Sequence, residues 1–242
     1  MSGHSKWHNI QKSKGAADAK RSQAFTKVAR EMIVAVKAGG SGDPNNNARL
    51  ATIIAKAKAV NMPNDNIKRT IEKAVGSANG DNYETIVYEG YGPCGVAVIV
   101  DTLTDNRNRT ASEVRHYFDK FGGNMGASGC VSWSFDRKGL IIMDSEGMDE
   151  DAVMLDALEA GADDFSAQDE CFEIYTDADI CGGVAAKLEE KGYTFLSAQV
   201  EMIPQTYIKL TEDADIKNME KLIDHLEENE DVQNVYHNWD EE

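Results

Sequence analysis

Long apolar runs are missing from this 242-residue chain: the longest stretches, such as Gly95–Val100 and Met32–Val36, fall far short of a bilayer span, which takes about 20 residues. The opening residues, Met-Ser-Gly-His-Ser-Lys-Trp-His, contain no apolar segment of the secretory kind. Cysteine is scarce and badly spaced for chemistry. The four, at 94, 130, 171 and 181, form no Cys-x-x-Cys motif, which argues against a disulfide framework or a zinc site. The expectation is a protein of a reducing cytoplasm. Apolar residues make up 41% of the chain, on the low side, yet no long segment is starved of Val, Ile and Leu, so wholesale disorder is not expected.

Catalytic signatures are lacking too. His4 and His8 stand four apart but have no third ligand nearby, and His225 leads into Leu-Glu-Glu-Asn rather than a second histidine. Pro93-Cys94 lacks the partner residues of a zinc deaminase. The stretch GGNMGASG at 122–129 has no Gly-Lys-Ser/Thr and no helix after it, so it reads as a helix end and a tight turn. Asp101, Asp105 and His116 have no spacing that would make them an acid/base set. The chain is read as non-enzymatic, with no cofactor, no metal and no small-molecule substrate.

What the sequence does have is charge divided along its length. Overall there are 25 Lys/Arg against 42 Asp/Glu, a net −17; residues 1–76 carry 14 against 5, a local +9, and residues 77–242 carry 11 against 37, a local −26. With a Debye length of about 8 Å in physiological salt, a polyanion feels mainly the nearest module. A basic module on an acidic body suits a tethered phosphate-binding unit.

Periodicity supplies the elements. Residues 2–15 read as a polar, basic arm. A helix over 16–37 places Phe25, Val28, Met32 and Val36 on one stripe. Asp43-Pro44 reads as the start of a second helix with Leu50, Ile53, Ile54, Ala57 and Val60 inward; Pro63 opens a third with Ile67, Ile71, Ala74 and Val75 inward and Lys68, Arg69 and Lys73 outward. Strands are expected at 83–91 and 95–104. Thr110-x-x-Glu113 reads as a capping box before a helix with Val114, Phe118 and Phe121 on one face. Cys130–Phe135 alternates like a half-buried strand. Residues 139–204 follow the order β-α-β-β-α-β of a ferredoxin-like unit, and the tail adds a strand, a helix with Ile216, Met219, Ile223 and Leu226, and a short strand at 232–236.

Two places suit polar recognition. The arm and first helix carry Lys6, Trp7, Lys12, Lys14, Lys20, Arg21, Lys27 and Arg30; cations neutralise phosphates and an indole stacks on unpaired bases. The segment TDNRNRT at 104–110 reads as a loop presenting Arg107 and Arg109 beside Asn106 and Asn108. The competing reading pairs those arginines with the acidic body.

SGHSKWHNIQKSKGAADAKRSQAFTKVARE, YEGYGP at 88–93, TDNRNRT and GGNMGASGCVSWSF at 122–135 together resemble the YebC/PmpR family, which includes the mitochondrial translational activator of cytochrome c oxidase subunit one. The likeness covers essentially the whole chain. Cys94 departs from it, standing where the family more usually has Gly. The resemblance implies an α+β protein of three domains: a basic three-helix bundle over 1–76, an α+β domain over 77–137 plus 205–242, and an inserted ferredoxin-like domain over 138–204. It implies a nucleic-acid-binding regulator of transcription, or else a factor on ribosomal RNA and the ribosome that relieves stalling at proline-rich stretches. The residue types lean modestly to RNA, since an arm with Trp7 suits unpaired bases, while the family label leans to DNA.

Overall fold

The computed structural model describes residues 18–76 and 82–241, a mixed α+β chain in two compact units. The first comprises 18–130 with 211–235, the second 131–210 with the tail from 236.

The first unit begins with α1 (Asp18–Gly39), α2 (Ala48–Ala59) and α3 (Asn64–Gly76). Val28, Met32 and Val36 of α1 meet Leu50, Ile53, Ala57, Ile67 and Ala74 in one buried cluster. Asn47 ties the turn: its Oδ1 accepts from Leu50 N at 3.1 Å, while its Nδ2 donates to the carbonyls of Ala35 at 2.9 Å and Ser41 at 3.0 Å. Gly39 leaves that amide its room, because a Cβ there would lie 2.4 Å from Nδ2. Two expectations are corrected. Asp43-Pro44 caps only the 3-10 turn Pro44–Asn46, and Asn47 is the cap of α2. Val75, expected inward, is 62% exposed because it lies at the end of α3.

The same unit holds a sheet of order β3-β1-β2-β9: β1 (Glu84–Tyr91), β2 (Ala97–Thr104), β3 (Asn124–Met125) and β9 (Val232–His237), whose residues to Val235 belong here. β1 and β2 are antiparallel, with Glu84 opposite Thr104 and Tyr91 opposite Ala97. Val96, Val98 and Val100 are wholly buried, as expected of a central strand. α4 (Arg107–Lys120) brings Val114 and Phe118 to the core, and α7 (Asp213–Glu228) brings Met219, Leu222 and Leu226.

In the second unit β4 (Phe135–Asp144), α5 (Glu150–Ala160), β5 (Asp164–Ala167), β6 (Cys171–Asp177), α6 (Cys181–Glu190) and β7 (Ser197–Pro204) follow in the expected β-α-β-β-α-β order. The antiparallel sheet runs β5-β6-β4-β7. Ile141, Met143, Phe172 and Ile174 bury one face against Val153, Ala157, Val184 and Leu188 of the two helices. β8 (Ile208–Lys209) pairs in parallel with β10 (Trp239–Asp240). The strand expected at Cys130–Phe135 is instead a bend and a 3-10 turn, Ser132–Ser134. Gly129, at φ +85°, turns the chain, and Ser134 Oγ closes the turn by donating to the Val131 carbonyl at 2.7 Å. Trp133 ends up 73% exposed.

Candidate nucleic-acid interface

α1 presents Gln23, Lys27 and Arg30 at spacings of four and three, hence on one face. That face is occupied by the protein itself. Gln23 Nε2 donates to the Glu228 carbonyl, Lys27 Nζ to the Glu227 carbonyl at 2.7 Å, and Arg30 Nη1 to the Glu230 carbonyl at 2.7 Å. These acceptors close α7 and the turn after it, where carbonyls lack helical partners and the dipole is negative. Burial pushes the Lys27 ammonium down to about 8, with Glu227 opposing it.

Asp231, with a side chain 4% exposed, is the centre of this contact. Its Oδ1 accepts from Arg30 at 2.6 Å; its Oδ2 accepts from Arg109 at 2.7 Å and Thr110 at 2.7 Å, with Thr104 Oγ1 at 3.1 Å. Its carbonyl accepts from Leu103 N at 2.7 Å. Burial alone would raise the Asp231 carboxyl; hydrogen bonds from Arg109, Thr110 and Arg30 outweigh that and hold it below the usual range. Hydrogen bonds to Asp231 and Asp105 raise the Arg109 guanidinium.

The 104–110 segment is therefore not a free loop. Asn106 caps α4, its Oδ1 accepting from Arg109 N at 3.1 Å, and Arg107 and Arg109 lie in the first turn. Thr110, expected as the cap, is buried and spends its hydroxyl on Asp231. The helix starts earlier than periodicity suggested because Asn106 supplies the cap that Asn and Thr compete for. Arg107 is exposed and has no ion pair among the described residues.

Of the residues singled out from sequence, the structure brings Lys27, Arg30 and Arg109 together around the end of α7 and Asp231. Lys6, Trp7, Lys12 and Lys14 lie outside the described residues; Lys20 and Arg21 lie on the first turns of α1, and their side chains are likewise not described. Other cations face outward. Arg49 and Lys58 of α2 and Lys68, Arg69 and Lys73 of α3 are exposed, with no carboxylate in ion-pair reach among the described residues. Lys56 is engaged, 2.7 Å from Glu31. Periodicity places Lys68, Arg69 and Lys73 outward; for Arg49 and Lys58 the sequence signal is the composition of α2, three cations and no acid. No group of three His, Cys, Asp or Glu among the described residues is placed to hold a metal ion, and no described helix is long and apolar enough to cross a membrane.

Two family models match in tandem: the TACO1/YebC protein N-terminal domain over residues 5–77 and the TACO1/YebC second and third domain over 83–239. The chain belongs to the TACO1/YebC family. A probable transcriptional regulatory protein of Finegoldia magna is 54% identical over 242 residues, with all of both chains covered. One of Acetivibrio thermocellus is 56% identical over 240 residues, covering 99% of each. The crystal structure of a conserved hypothetical protein from Aquifex aeolicus aligns at a TM-score of 0.83 and 43% identity, over 92% of this chain and 91% of that one. The YebC/PmpR resemblance read from four sequence motifs is thus a family relationship along the whole chain. One of those motifs, TDNRNRT, forms the cap and first turn of α4 in this member.

Proposed function

We propose that this TACO1/YebC protein is a non-enzymatic, nucleic-acid-binding regulator of gene expression that acts on DNA in the cytoplasm. The names of its relatives as probable transcriptional regulatory proteins support a regulatory role. The observation that carries nucleic-acid binding is the outward cation set of α2 and α3: Arg49, Lys58, Lys68, Arg69 and Lys73, within a module of +9. Such groups neutralise phosphates and release counterions. Lys6, Trp7, Lys12, Lys14, Lys20 and Arg21 extend this reading to the arm. Arg107 offers an exposed guanidinium for an oriented contact. Lys27, Arg30 and Arg109 serve instead to fix the framework that carries these cations. The division into a basic domain over 1–76, an α+β domain over 77–137 plus 205–242 and an inserted domain over 138–204 belongs to the same proposal.

Crosslinking in cells, followed by sequencing of the attached nucleic acid, tests it. Enrichment of promoter DNA is expected. Recovery of ribosomal RNA alone would replace the transcriptional reading with one on the ribosome.

A further inference from the structure

Helix α5 is built the wrong way round for a helix that serves only its own core. Val153, Ala157 and Ala160 face the sheet, at 1%, 0% and 3% exposure. Its larger side chains point outward: Met154 is 38% exposed, Leu155 59% and Leu158 47%. An amphipathic helix normally turns its large apolar residues to the core and polar ones to water. Single exposed leucines are ordinary, but three large apolar groups at positions i, i+1 and i+4 form a ridge. The cap is well made, with Asp149 Oδ1 accepting from Ala152 N at 2.9 Å and Gly161 ending the helix at φ +111°. The ridge is thus held by a stable element.

The surroundings say what chemistry would cover it. Asp151 and Glu159 stand four residues on either side of Leu155 and so share its face. Both are exposed. The described cations beside it are already engaged: Lys191 is held by Asp156 at 2.5 Å and Glu159 at 2.8 Å, and Lys187 donates to the Ala160 carbonyl at 2.8 Å. Residues 131–210 carry 5 Lys/Arg against 18 Asp/Glu, a net −13. A second copy of this unit, or an anionic lipid surface, would be repelled as it approached. A cationic segment would be drawn in, and one with its own apolar stripe would bury the ridge.

We propose that the outer face of α5, Met154, Leu155 and Leu158 between Asp151 and Glu159, docks a cationic amphipathic helix of a protein partner. Leucines of the partner pack along the ridge, and its Lys or Arg residues lie over the two carboxylates. The mode is helix against helix, with anchors spaced by three and four residues.

The probe is a fluorescein-labelled, 18-residue Leu/Lys peptide with its leucines on one helical face, titrated into the full chain and followed by anisotropy. The intact chain should bind it, and Leu155→Ser/Leu158→Ser should weaken Kd by about tenfold or more, as expected when two anchors are removed. Asp151→Asn/Glu159→Gln should also weaken binding and flatten its salt dependence. Circular dichroism should show both variants as folded as the parent, since all four side chains are exposed. Equal binding by the leucine variant, or by a peptide of the same composition with its leucines scattered, would overturn the proposal and leave only charge attraction. Sedimentation showing that the intact chain dimerises and the leucine variant does not would overturn it in favour of self-docking.

Discussion

Cys94 sits at φ +54° and ψ +21°, a left-handed backbone that costs a residue with a Cβ. Glycine meets that demand without strain. The thiol lies 3.0 Å from Asp215 Oδ2, a contact that also holds its proton more firmly. A thiol is a weak donor, so releasing the strain should win. Cys94→Gly should raise the thermal midpoint by about 2–4 °C in differential scanning calorimetry, the size expected for a small single-site gain in a chain of this length. Asp231 is the opposite case, a residue whose loss the fold cannot absorb. Asp231→Asn leaves Arg30 and Arg109 without their shared counter-charge and should cost about 3 kcal/mol or more in urea unfolding. The carboxylate is held below its usual range in the folded chain. Its contribution is therefore fully present above about pH 4, the unfolded carboxylate value, and falls away as pH drops through the lower folded one. The gap between parent and Asp231→Asn should narrow only below that point; a gap that stays constant into acid would show that packing rather than charge carries the loss.

The same logic applies to the pairing of α1 with the end of α7. Periodicity found the helix, its apolar stripe and its cations, but it could not say that Lys27 and Arg30 face carbonyls 200 residues away in sequence. No local pattern encodes such a partner. The Arg107/Arg109 pair shows the limit more sharply: sequence treats them as equivalent, whereas α4 turns Arg107 to solvent and Arg109 onto Asp231. What was legible was whatever repeats locally, such as the apolar run of β2, the stripe Val28, Met32 and Val36 of α1, and the whole β-α-β-β-α-β order. What was not was the choice among neighbouring capping residues at Asn106 and Thr110, and the turn that replaces a strand at Ser132–Ser134. The docking of α1 carries its own pH signature. Burial brings Lys27 down to about 8, against about 10.5 for an unfolded lysine. Between those values the unfolded chain holds the proton and the folded chain has released it, so stability rises with pH across that window. Lys27→Met should abolish this rise, read as the difference between the two proteins' chemical unfolding curves from pH 7 to 10.5. A difference that does not change with pH would mean the ammonium remains solvated.

At the scale of the whole chain, the question is which cations meet phosphate. Removing residues 1–76 outright is a poor test, because it would strip Asp231 of Arg30 and the α7 carbonyls of Gln23 and Lys27. Any loss of binding would then be mixed with damage to the sheet unit. Point changes at exposed positions separate the two. Changing Arg49, Lys58, Lys68, Arg69 and Lys73 to Gln removes charge where no described carboxylate depends on it, so urea stability should stay within about 0.5 kcal/mol per site. Binding to duplex DNA should weaken, and the slope of log K against log salt should fall by about 0.9 for each phosphate no longer neutralised, or about 0.7 on a single strand. Arg107→Gln should lower the slope by no more than one such step. Lys12→Gln/Lys14→Gln reports on the arm on the same scale, so the two sets can be ranked directly. If the five-site variant keeps the parent's slope while Lys12→Gln/Lys14→Gln flattens it, the arm holds the phosphates and the helical faces are only solvated. If neither set changes the slope, the charge partition serves some purpose other than nucleic-acid binding.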